Sequence, residues 1–168
     1  MTSKRIDRNG FSMIELVFVI VILGVLAAVA VPRFVTTRTD AQVAMLRSDI
    51  ASTLKAIPAR VFAENLDPTA STADGFSDWG EWMIDTGGLD RGRWESTGTS
   101  IQPIVPASGS TAKVECGSLI NLDVTSGNLT FDPTLITGTQ TLCTSLRDSY
   151  PSDSNRVIPL ATTGAVQF

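Results

Sequence analysis

A chain of 168 residues with 43% hydrophobic content has room for one ordinary core and little more. Its formal net charge of −4 disfavours nonspecific binding to nucleic acid. The absence of histidine removes the commonest general base and transition-metal ligand, and there is no phosphate loop or nucleophile motif, so no enzyme, cofactor or metal site is expected.

The chain opens on a short basic leader, with Lys4, Arg5 and Arg8 against Asp7. Nineteen residues with one charge, Glu15, then run from Met13 to Val31. A helix over that stretch is about 28 Å long, close to the roughly 30 Å hydrocarbon core of a bilayer. The leader cations keep the N-terminal end in the cytoplasm and send the bulk of the chain outward, a bias that Arg33 and Arg38 weaken slightly.

Three readings compete for this segment. A plain membrane anchor explains the length and the flanking charges but not Glu15, because an acid at the centre of a span costs about 2.5 to 3.5 kcal/mol and usually marks a functional pairing. A removable secretory signal would be cut at the small residues of Leu26-Ala27-Ala28-Val29-Ala30, yet the apolar run exceeds the usual core of roughly 7 to 15 residues. The third reading takes Gly10-Phe11-Ser12-Met13-Ile14-Glu15-Leu16 as a unit. That stretch resembles the N-terminus of the type IV pilin and pseudopilin superfamily. The resemblance implies that a prepilin peptidase cuts between Gly10 and Phe11 and that Phe11 becomes the N-methylated first residue. Glu15 then lies about one helical turn from the new amine and offers a counter-charge, within the chain or to a neighbour docking beside it. The resemblance makes Glu15 an assembly latch.

Gly24 and Pro32 also stand at family positions. Glycine costs a helix about 1 kcal/mol relative to alanine, and proline removes the backbone bond to the Ala28 carbonyl. The resemblance implies that the stretch between them can lose its helical form in an assembled filament. Gly24 and Ala28 form a small-xxx-small pair that lets helices approach closely. After Pro32, Val43, Leu46, Ile50, Leu54, Ile57 and Val61 recur at three- and four-residue intervals. This spacing predicts an amphipathic helix laying one stripe against a soluble head, with Pro58 kinking it or opening a short final helix. The turn residues at Leu66-Asp67-Pro68-Thr69 end it.

In the head, Phe76 to Ile84 predicts a short helix. Trp79, Trp82 and Trp94 beside Arg91-Gly92-Arg93 have the chemistry of a single-strand or ligand site, although tryptophans in a core or in subunit contacts, with solvated arginines, are the preferred reading. Strands are predicted at Lys113 to Leu119, Ile120 to Val124, Leu129 to Phe131 and Arg156 to Leu160. Ala165 to Phe168 is a candidate edge, and Ser126-Gly127-Asn128 a hairpin turn. Asp67, Asp74 and Asp78 lack the spacing of a calcium loop. Cys116 and Cys143 fall in the outward portion, where an oxidising compartment would let them pair; two buried free thiols are the alternative. The resemblance implies a disulfide stapling the C-terminal region, more in the manner of a pilin than of a secretion pseudopilin.

The expected fold is α+β and pilin-like: a leader over 1–10, an apolar assembly helix over 11–32, its amphipathic continuation over 33–66, and a head over 67–168 with an antiparallel sheet. The resemblance implies a structural subunit of a type IV pilus-like filament of the cell envelope. A pseudopilin of a type II secretion system is the alternative within the superfamily, and a membrane-tethered adhesion module the alternative of another class. The implied partners are identical or homologous subunits, the prepilin peptidase, an inner-membrane assembly platform and, before assembly, membrane lipid; nucleic acid is not expected. The implied location is the bacterial inner membrane, crossed once with the N-terminus cytoplasmic and the head periplasmic, and then the filament.

Overall fold

The computed structural model describes residues 12–106 and 113–161, apart from the side chains of 29–37 and 106. The leader, Phe11 and the edge predicted at Ala165 to Phe168 lie outside the described residues. The chain forms two compact units, Met1–Arg38 and Thr39–Phe168. Helix α1, Met13–Glu64, supplies the described part of the first unit and opens the second. It includes Gly24, Pro32 and Pro58, so the Gly24 to Pro32 stretch is helical in the single chain and Pro58 opens no separate helix.

In the first unit every large apolar side chain from Met13 to Leu26 is exposed, from 41% at Ile22 to 82% at Met13. Successive residues step about 100° around a helix, so this run is apolar on all sides. Among the described residues no helix is long and apolar enough to cross a membrane. The last residues of the predicted span, 29–31, have side chains outside the description.

In the second unit α1 becomes one-sided, burying Val43, Leu46, Ile50, Ile57 and Val61. The stripe departs from the predicted one at a single step. Thr53 is fully buried, while Leu54 packs at the core margin. The helix then stops at a left-handed residue, Asn65 with φ 50°, and the Leu66 amide bonds back to the Val61 carbonyl at 3.0 Å. Asparagine tolerates that conformation better than other side-chain-bearing residues, which makes it a natural helix stop.

Helix α2, Trp79–Gly87, begins and ends later than the predicted Phe76 to Ile84. Its start is set by capping: Asp78 accepts from the Glu81 amide at 2.8 Å. Its end is set by Gly88, at φ 61°, whose amide reaches back to the Asp85 and Ile84 carbonyls.

The strands are β1 Trp94–Ser96, β2 Ser100–Pro106, β3 Lys113–Glu115, β4 Ile120–Asp123, β5 Asn128–Phe131 and β6 Arg156–Pro159. They pair antiparallel in the order β1-β2-β4-β5-β6, with β3 also beside β2. The predicted strand Lys113 to Leu119 stops at Glu115, and Asn128, predicted as part of the turn, opens β5. Strands β1 and β2, the 3₁₀ turn Pro133–Leu135 and helix α3, Thr141–Asp148, have no counterpart in the sequence prediction. Strand β2 tolerates Pro103 because pairing on one side passes from β4, at Ser100 and Ile101, to β3, at Ile104 to Pro106. The missing proline N–H falls at that change of partner. The sheet's inner residues Ile101, Leu122, Leu129 and Phe131 join the α1 stripe and the three tryptophans in one core.

Asp78 ties α2 to the sheet, since it also accepts from the Ser96 hydroxyl at 2.6 Å. Burial pushes its carboxyl up, but hydrogen bonds from Ser96 and the Glu81 amide outweigh this and hold the pKa below the ordinary carboxylate value. Asp78→Ala is expected to lower stability by about 1 to 2 kcal/mol in urea unfolding. With the folded pKa depressed, the ionised group's contribution is complete above the unfolded value of about 4 and lost as pH falls through the folded one. The variant therefore loses that part of the acid dependence.

Candidate functional site

The first turn of α1 is built by the spacing Ser12-x-x-Glu15. The Ser12 amide donates to Glu15 Oε2 at 2.9 Å, and the Leu16 amide to the Ser12 carbonyl at 3.2 Å. A glutamate at the third helical position that returns to the capping residue's amide is one half of a capping box. The carboxylate also faces the positive end of the helix dipole. The sequence prediction assigned Glu15 a counter-charge alone; the S-x-x-E pattern was the signal for this second contact. Its consequence is positional. The carboxylate is held at the amide directly after Phe11, at the end of the chain where cleavage would create an amine. Gly10 and Phe11 themselves lie outside the described residues.

Further along α1, beyond the helix's own neighbouring backbone, no atom of the described residues lies within 4 Å of where a Cβ on Gly24 would stand, so another helix could approach its backbone there. Pro32 is helical, with its side chain outside the description.

Cys116 and Cys143 are disulfide-bonded, with Cα atoms 5.3 Å apart and both residues fully buried. The bridge ties the segment after β3 to α3. The adjacent Gly117, at φ 105°, could carry no side chain, because a Cβ there would run into the Leu135 carbonyl.

The tryptophans are core residues, each about 1% exposed. Trp79 Nε1 donates to the Ala70 carbonyl at 2.9 Å and Trp94 Nε1 to Asp49 at 3.1 Å, while Trp79 and Trp82 meet edge to face at 5.3 Å. A ligand site on the head loops cannot be built from these rings. The neighbouring arginines are also engaged, Arg91 with Glu81, and Arg93 with Asp90 at 3.2 Å and Asp49 at 3.8 Å. Among the described residues no cluster of three or more Cys, Asp or Glu side chains could hold a metal ion.

Residues 5–31 match the family model of the prokaryotic N-terminal methylation motif. This chain carries a prepilin-type N-terminus. It is also similar to type II secretion system core protein G of Pseudomonas aeruginosa, with 39% identity over 64 residues. That stretch covers 38% of this chain and 42% of the relative, so the chain spans about two fifths of the length of the curated relative it matches. No solved structure gives a significant match.

Replacing Cys116 and Cys143 together by alanine is expected to lower stability by about 3 to 4 kcal/mol, the chain-entropy value for a separation of 27 residues. The urea midpoint of the purified protein, with and without reductant, measures it.

Proposed function

We propose that this chain is a structural subunit that is cut between Gly10 and Phe11, methylated on the Phe11 amine, and polymerised through its apolar helix into a type IV pilus-like filament of the cell envelope. The match of residues 5–31 to the methylation motif carries this reading. The exposed apolar run from Met13 to Leu26 supports it, because moving such side chains out of water is worth about 1.5 to 3 kcal/mol each. Lipid covers the run before assembly, with the segment 11–32 crossing the inner membrane once, the N-terminus cytoplasmic and the head periplasmic. Neighbouring helices cover it afterwards.

Glu15 sets the docking register. A carboxylate at the edge of lipid or inside a helical bundle needs a partner, and the amine freed at Phe11 of an adjoining subunit is one of opposite charge. Gly24 permits close helix contact, and the stretch from Gly24 to Pro32 is where the helix can open in the assembled state. The prepilin peptidase and an inner-membrane assembly platform are the partners in processing and extrusion. The chain is the substrate of that chemistry and performs none.

The similarity to a type II secretion core protein favours a second reading, a pseudopilin of a periplasmic pseudopilus. Location separates the two: a pilus subunit is recovered in filaments sheared from the cell surface, a pseudopilin stays with the envelope.

Glu15→Gln keeps an acceptor for the Ser12 amide and removes the charge, whereas Glu15→Ala removes both. The counter-charge account expects both variants to be processed and both to lose filaments at least tenfold. Filaments from Glu15→Gln at the wild-type level would reduce Glu15 to a helix cap.

A further inference from the structure

The cations of the second unit are unevenly paired. Of its eight Lys and Arg residues, five are in ion pairs: Arg60, Arg91, Arg93, Lys113 and Arg147. The other three, Arg47, Lys55 and Arg156, have no carboxylate within 4.0 Å among the described residues. All three line one cleft of about 420 Å³. Its apolar lining includes Ile50, Phe131 and Tyr150, and Asp153 is the one acid on its rim. The cleft is firmly built. Arg47 lies over the Tyr150 ring at 4.9 Å and donates to the Ser149 carbonyl at 3.1 Å, and Tyr150 meets Phe131 edge to face at 5.2 Å. Three unpaired cations on an apolar floor, in a chain of net charge −4, are complementary to an acidic polypeptide surface with apolar character.

The far end of α1 in the same unit offers such a surface. Asp67 and Asp123 have no cationic partner among the described residues, and each is fixed by its own turn. Thr69 donates to Asp67 through its hydroxyl at 2.7 Å and its amide at 2.9 Å. Ser126 donates to Asp123 at 2.6 Å and the Thr125 amide at 2.9 Å. These bonds hold both carboxyls below the ordinary pKa, so they stay ionised. The two turns abut, since a Cβ on Gly127 would lie 3.2 Å from Pro68 Cγ. Phe62, 57% exposed on the last turns of α1, supplies an apolar side chain.

We infer that the Arg47, Lys55 and Arg156 cleft of one subunit receives the Asp67 and Asp123 end of a second copy. This deepens the filament reading and rests on it. Because the two surfaces are different parts of one molecule, the contact is heterologous, the kind that propagates into open helical assemblies.

The test uses native sheared filaments, assembled from mixed light and ¹⁵N-labelled subunits, treated with a water-soluble carbodiimide and mapped by mass spectrometry. The inference expects an amide between Lys55 Nζ and Asp67 or Asp123, with mixed-isotope pairs marking it as a bond between copies. It also expects Lys55→Glu with Arg156→Glu to cut sheared filaments at least tenfold while leader removal and the disulfide stay normal. Lys55 unlinked, linked to other acids or to another protein, or filaments at the wild-type level from the double variant, would overturn it while leaving the filament reading intact. Wild-type cells without any filament of this chain would remove that reading and the inference with it.

Discussion

From Met13 to Leu26, helix α1 carries large apolar side chains on every side, and each is exposed in the single chain. Water is a poor medium for such a surface, and at about 1.5 to 3 kcal/mol per side chain the penalty rivals the whole stability of a domain. Among the described residues nothing covers that run, and on the proposed reading the cover is first lipid and then other copies. Within that surface a carboxylate is tolerated only where it has a fixed place and a partner. Glu15 has the place already, at the Ser12 amide on the first turn.

The second half of α1 solves a different problem. From Val43 to Val61 its buried apolar residues keep to one face, with Met45 off it at 46% exposed, and the head closes over that face with α2 and the sheet. Polar side chains fasten the closure. Asp49 takes the Trp94 indole N–H, and Arg60 reaches Glu64 and Asp85 at 2.9 Å while lying over the Trp82 ring. The disulfide then pins α3, whose buried Cys143 and Leu146 give it a small share of the core. The cations left over gather at one cleft, which is where an acidic neighbour has most to gain.

Much of this was legible in the sequence because periodicity and chemistry agreed. The stripe from Val43 to Val61 and strands β4, β5 and β6 follow from spacing and residue type, while the cysteine pair followed from the outward placement of both residues and from the family resemblance, and a core place was the preferred reading for the tryptophans. The failures have specific causes. Thr53 displaced Leu54 from the stripe because it fits against Gly87, where a Cβ would crowd its side chain; its hydroxyl finds no hydrogen-bond partner among the described residues. Strand β2 was hidden by Pro103 and Pro106, which normally argue against an inner strand and here sit where the pairing partners allow them. Helix α2 shifted because Asp78 and Gly88, not the tryptophan spacing, set its ends. The second contact of Glu15 lay in a four-residue pattern overshadowed by the longer motif around it. The unpaired cations could not be found at all from sequence, since Arg47, Lys55 and Arg156 become neighbours only through the fold.

The central claim is that residues 1–10 are removed and that Phe11 then begins an assembling helix. Intact-mass and N-terminal peptide analysis of the protein from native cells, in the envelope and in the sheared surface fraction, tests it most directly. The account predicts a chain beginning at N-methyl-Phe11 in both fractions. A chain still beginning at Met1, or one beginning after Ala30, would contradict it and leave Glu15 as a helix cap in an ordinary anchor or signal.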